Sequence, residues 1–137
     1  MNNKKGFTLI ELVLVIALLG ALAVSALPNI FAISLTNAQN NSRDAVQGAV
    51  QAALSLYAAS QISQELPESY PADLDGEADG VASSRAAPLF DNILKGGVIQ
   101  DWSKQDDTCY QWTGGGGSDE YEYDSDAGTF IYIAAGC

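Results

Sequence analysis

Two small groups of residues in the 137-residue chain could do chemistry, and they lie at opposite ends of it. Near the start, Glu11 is the one charged side chain inside an apolar run, five residues behind Gly6 and preceded by Lys4 and Lys5. Near the end, Cys109 and Cys137 are the only cysteines, and Asp119, Glu120, Glu122, Asp124 and Asp126 crowd the segment between them. An acid in an apolar span costs a few kcal/mol at mid-helix and less near an end, so Glu11 asks for a partner. Two thiols can bridge, and clustered carboxylates can hold a hard cation. The chain has no histidine. That removes Ser-His-Asp and Cys-His nucleophiles, a histidine base and any histidine-containing metal site.

Composition separates the two ends further. The formal charge is −11, from 6 basic and 17 acidic groups. Residues 1–62 carry Lys4, Lys5 and Arg43 against Glu11 and Asp44, whereas residues 63–137 carry 3 basic against 15 acidic groups, net −12. An acidic surface of this kind repels phosphate backbones, so direct nucleic-acid binding is not expected. The mean hydropathy of +0.05 averages two unlike halves. Between Glu11 and Arg43 there is no charged residue, and Leu12 to Leu35 is long enough for a bilayer, which needs roughly 20 residues. Basic residues ahead of it place the N-terminus in the cytoplasm and the remainder outside. The run is too long for the apolar core of a cleaved secretory signal, and it flows into a helical pattern.

Larger apolar groups then recur at Val46, Val50, Ala53 or Leu54 and Tyr57, the spacing of one helix face. Pro67 forbids continuation and biases Leu66 out of the α region. One helix from about Phe7 to Leu66 is expected, roughly 90 Å at about 1.5 Å per residue, with Gly20 and Pro28 as interior weak points. The stretch from Glu68 to Asp91 reads as a connecting loop, with at most a short helix near Pro88 to Leu94. Strand patterns follow at 98–102, 108–112, 120–124 and 129–134, and turns at Gly114 to Asp119 and Ser125 to Gly128 make an antiparallel meander. Trp102, Trp112, Tyr121, Tyr123, Phe130 and Tyr132 are its expected core and face residues. Alternation along the third strand sends Glu120 and Glu122 to solvent. The carboxylate run lacks the ligand order of an EF-hand, so no metal ligands and no cofactor are assigned.

The string Lys4-Lys5-Gly6-Phe7-Thr8-Leu9-Ile10-Glu11 heading the apolar run resembles the class III signal of type IV prepilins and of the pseudopilins of type II secretion. The resemblance is close over residues 4 to about 30 and general beyond. It implies an α+β, type IV pilin-like fold: a long N-terminal helix, its first half transmembrane, packed on a small antiparallel sheet head. It implies a leader at 1–6, an assembly helix at 7–35, and an amphipathic half-helix with head at 36–137. Prepilin peptidase would cleave between Gly6 and Phe7, the new Phe7 amine would be N-methylated, and Glu11 would meet the Phe7 amine of a neighbouring subunit. Helices of related filaments weaken at positions like Gly20 and Pro28. Many pilins staple the C-terminal region; here Cys109 and Cys137, an even count in an exported part, would bridge, with free thiols or an intermolecular bridge as alternatives.

The function so implied is a non-enzymatic structural subunit of a type IV pilus, a homo-oligomeric helical filament. The precursor would cross the inner membrane once, be served by prepilin peptidase and the assembly machinery, and pass into an extracellular fibre. The major pseudopilin of a type II secretion system, in a periplasmic pseudopilus, is the alternative; Tyr70-Pro71 and the Tyr-rich last hairpin fit it. A minor pilin or a single-pass protein with a binding ectodomain are further alternatives. Assembly machinery and partner subunits set whether such a filament serves twitching, adhesion, DNA uptake or secretion.

Overall fold

The computed structural model describes residues 7–137, except for the side chains of residues 25–32. Gly6 and the rest of the expected leader, residues 1–6, therefore lie outside the described residues, as does the side chain of Pro28. The elements are α1 (Leu9–Ser63), β1 (Trp102–Lys104), β2 (Cys109–Trp112), a 3-10 turn (Gly114–Gly116), β3 (Asp119–Asp124) and β4 (Thr129–Ile133). The chain is a long N-terminal helix plus a small four-stranded antiparallel sheet, an α+β arrangement of pilin type. Its residues form two compact units, Met1–Ala38 and Gln39–Cys137.

In the first unit α1 opens on a reciprocal cap. The Thr8 backbone N–H donates to Glu11 Oε2 at 2.8 Å, and the Glu11 N–H donates to Thr8 Oγ1 at 3.4 Å. Two of the amides that every helix start leaves unpaired are thereby satisfied. The large apolar side chains described from Phe7 to Val24 are all exposed within the chain. Among the described residues no helix is long and apolar enough to cross a membrane.

In the second unit the helix buries Val50, Leu54 and Ala58, with Val46 and Tyr57 half-buried beside them. This is the stripe expected from the spacing. The helix stops at Ser63, three residues before the expected Leu66. Glu65 N–H donates to Ile62 O at 3.0 Å and Leu66 N–H to Gln61 O at 3.1 Å, while Glu65 adopts φ +61°. These are the paired bonds of a Schellman stop, with a glutamate at the left-handed position that glycine normally fills. Because Leu66 must be extended ahead of Pro67, the reversal has to be completed before it.

The strands pair in the order β1-β2-β3-β4, all antiparallel. The register sets Trp102 opposite Trp112, Tyr110 opposite Tyr121 and Tyr123 opposite Phe130, so one face is almost wholly aromatic. Tyr132 stands opposite Tyr121 but is half exposed. The first strand falls at Trp102–Lys104 rather than at 98–102, because Val98 is taken by a bridge to Leu89 with bonds of 2.7 and 2.9 Å.

The connecting segment departs most from expectation. It supplies Leu74, Leu89 and Phe90, all fully buried, to the core. Phe90 lies 4.6 Å from the Tyr110 ring centroid and within 5.6 Å of those of Trp102 and Phe130. In place of a helix near 88–94 there is a single turn, closed by Leu94 N–H donating to Phe90 O at 2.8 Å. The positive φ of Phe90, +62°, ends any regular run there while aiming the ring inward.

Candidate functional site

The N-terminal residues come together within the first unit. Phe7, Glu11, Leu12, Val15 and Ile16 line an open apolar groove of about 310 Å³. Thr8 holds the Glu11 carboxylate twice, through its N–H and through its hydroxyl, both at 2.8 Å and both onto Oε2. The carboxylate is therefore held by its own helix start. Sequence reasoning passed over Thr8, although a Thr followed three residues later by Glu, just ahead of an apolar run, is itself a helix-start signature. Gly20 is helical, and a methyl group built on it would meet nothing within 4 Å, so no contact inside the chain demands a glycine there.

In the second unit Cys109 and Cys137 are joined, with Cα atoms 5.9 Å apart. Cys109 is buried on the sheet and Cys137 belongs to an exposed tail. The tail N–H of Cys137 donates to Glu120 Oε2 at 2.9 Å. Glu122 is exposed and Glu120 only partly so, while Tyr121 and Tyr123 point into the core, as alternation required.

A polar centre hidden from sequence reasoning lies under the connecting segment. Lys104 and Asp75 are both at most 2% exposed, with Nζ 3.3 Å from Oδ1. Nζ also donates to Glu77 O at 2.9 Å and approaches Asp107 at 3.2 Å. Asp75 accepts the N–H groups of Phe90 at 3.1 Å and Glu77 at 3.2 Å. Burial works to lower the Lys104 pKa, but the carboxylates of Asp107 and Asp75 outweigh it and hold the amine above its ordinary 10.5. Burial, with the charge of Asp75 next, pushes the Tyr110 hydroxyl far above its ordinary 10. With both shifts directed away from neutrality, the Lys104 amine and the Tyr110 hydroxyl keep their protons across the physiological range, which suits a clasp and not a proton-transfer site.

Arg43 makes a second clasp. Its guanidinium binds Asp119 and Asp44 and lies 5.5 Å from the centroid of the Trp112 ring. The run Gly114 to Gly117 wraps the same indole: a Cβ at Gly114 or Gly117 would come within 2.4 to 2.6 Å of it. Tyr70 packs over Gly128, where a Cβ would fall 2.2 Å from its ring, and Tyr123 Oη donates to Pro71 O at 2.5 Å. The Tyr70-Pro71 pair thus fastens the chain after the helix to the last hairpin.

With this geometry in place, comparison with known proteins adds one finding at the N-terminus. Residues 1–27 match the family described as the prokaryotic N-terminal methylation motif. No curated protein and no solved structure matched the chain. The motif is the class III signal read at the same residues, and it supports a type IV pilin- or pseudopilin-like, membrane-anchored precursor of structural rather than enzymatic kind. Processing by prepilin peptidase is implied with it.

Proposed function

We propose that this chain is the structural subunit of a type IV pilus and has no catalytic site of its own. In this reading the precursor crosses the inner membrane once through its N-terminal helix, loses the leader by cleavage between Gly6 and Phe7, is methylated on the new Phe7 amine, and polymerises with copies of itself. The observation that carries it is the capped carboxylate of Glu11 at the head of a helix whose described large apolar side chains from Leu9 to Val24 are exposed. Both Thr8 bonds fall on Oε2, and Oε1 is then the acceptor for a cationic amine supplied by the Phe7 of a neighbouring copy. A carboxylate left unpaired in a packed apolar core is strongly destabilising, whereas a paired one is tolerated, so the pair sets register rather than adding net stability. Exposed apolar side chains along the helix supply the drive, about 25 cal/mol per Å² buried.

The test is Glu11→Ala in the full chain expressed in its own host. Leader cleavage and membrane insertion should stay near normal while sheared filament mass falls at least tenfold; normal filament yield overturns the reading. Electron microscopy of a deletion strain separates the pseudopilin alternative, whose deletion leaves long filaments in place and abolishes enzyme secretion. The clamp of Tyr70-Pro71 onto the last hairpin keeps that alternative in view.

A further inference from the structure

The second unit carries two unlike exposed patches that complement each other in shape and charge. The first is a notch. Ala53, Leu56 and Tyr57 of α1, with Asn92 and Ile93 of the connecting segment, line an apolar cavity of about 260 Å³, and Leu56 among them is 71% exposed. The wall from the connecting segment is fixed: the Asn92 side-chain amide donates to Asp73 O at 3.1 Å, and the Asn92 N–H donates to Leu74 O at 3.2 Å. Lys95, two residues beyond Ile93, is exposed. The second patch is a knob on the outer face of the sheet. Alternation turns Tyr121, Tyr123 and Phe130 into the core and leaves Glu122 and Ile131 outward, directly opposite each other in the register of β3 and β4. Ile131 is 49% exposed, and Glu122 has no ion-pair partner among the described residues. Charge then limits what can meet what. Beyond Lys4 and Lys5 the chain has four side-chain cations. Arg43 is paired with Asp44 and Asp119, and Lys104 is buried on Asp75 and Asp107, which leaves Arg85 and Lys95 to offset acid wherever two heads come together. Arg85 stands in a run of serine and alanine, whereas Lys95 follows an apolar notch.

We propose that the Ile131–Glu122 knob of one copy seats in the Leu56–Ile93 notch of the next, with Glu122 on Lys95 of that neighbour. The inference rests on the filament reading above and supplies its contact between heads. The two patches are different surfaces, so the contact is head-to-tail and can repeat without closing, as a helical polymer requires. An exposed ion pair adds little by itself. Its weight is in selection: an acid placed against the acidic head is repelled, and the register that brings Glu122 to Lys95 relieves that repulsion. The contact is small, so it forms where the N-terminal helices already hold copies together at high effective concentration.

The experiment uses sheared filaments of the full chain from its own host, treated with a carbodiimide, which joins an amine to a carboxylate as an amide and itself takes up the water as a urea. Lys95 and Lys104 are the only lysines beyond the expected leader, and Lys104 is buried, so Lys95 is the reactive one. A ladder of covalent multimers should appear on reducing, denaturing gels, and mass spectrometry of its bands should find Lys95 joined to Glu122. Lys95→Arg keeps the charge and removes the amine, so filament mass should stay within twofold of the parent while that link and its multimers are lost. Lys95→Glu and Glu122→Lys should each cut filament mass at least fivefold, and the double variant should return it to within twofold. Ile131→Ser should cut it at least threefold. Parent filaments without the Lys95–Glu122 link overturn the contact and leave the assembly reading standing. So do a link from Lys95 to a different protein or another carboxylate, and a double variant as poor as the single ones. Parent cells that make no filaments overturn the assembly reading, and the contact with it.

Discussion

The two compact units are stabilised in opposite ways. In Met1–Ala38 the hydrogen bonds described are local, as in the Thr8–Glu11 cap, and the large apolar side chains face outward. In Gln39–Cys137 the bonds that matter join residues far apart in sequence: Arg43 with Asp119, Gln51 with Phe130, Asp75 with Lys104, Cys109 with Cys137. The second unit satisfies most of its own buried polar groups, the Tyr110 hydroxyl being the exception among the described side chains. The first, over its described residues, has a formed backbone and exposed large apolar side chains, which the proposed assembly would cover with lipid or with other copies. Substitutions in the first unit should then change association while leaving head stability alone, and substitutions of buried groups in the second should do the reverse.

The largest effect expected is that of Glu11→Ala, which should remove most filaments while the thermal unfolding midpoint of the head shifts by no more than a degree or two. A large drop in that midpoint would break the comparison. Next, Lys104→Met leaves Asp75 buried without its cation, and should cost ~3–5 kcal/mol in denaturant unfolding of the head. Adding Asp75→Asn to it should restore part of the loss, since the stranded charge is gone. The same clasp has a pH signature. Because the folded-state pKa of Lys104 lies above 10.5, its contribution is complete below that value and is lost as pH rises through the folded value. Head stability followed by near-ultraviolet circular dichroism should fall in that alkaline range, and the fall should be absent from Lys104→Met.

Replacing both cysteines by serine should cost roughly 3–4 kcal/mol by the loop-entropy argument and leave leader cleavage untouched. The smallest pair sharpens the contrast at the two ends of α1. Glu65→Gly removes the strain of a left-handed glutamate and should stabilise the head by about 0.5–1 kcal/mol. Gly20→Ala meets open space and should raise local helix stability by a similar ~0.5–1 kcal/mol. Its measurable consequence should be in filament extensibility under load and not in head unfolding.

Much of the candidate N-terminal site was legible because its information is local. An apolar run, one acid and a basic leader define a segment whatever the rest of the chain does, and alternation of Tyr121, Glu122 and Tyr123 fixed the faces of β3. The carboxylate-rich connecting segment misled for the opposite reason. Its polar, Gly-rich composition reads as surface loop, yet Leu74, Leu89 and Phe90 are core residues because their neighbours find partners across long separations: Asn92 N–H on Leu74 O, the Leu89–Val98 bridge, and Phe90 N–H on Asp75. No periodicity marks such residues, since each is buried by a different element.

By itself the sequence determined the helix and its apolar stripe, the meander, the acidic character of the second unit and the prepilin-type start. These follow from backbone sterics, side-chain periodicity and transfer free energies, which act over a few residues. Only the tertiary structure decided that a lysine would be buried on an aspartate under the connecting segment, that the loop would complete the aromatic core, and that a glycine in the tail would carry Cys137 to Glu120. Each depends on which distant groups can satisfy a buried charge or an unpaired amide, and that is settled only when the chain has folded back on itself.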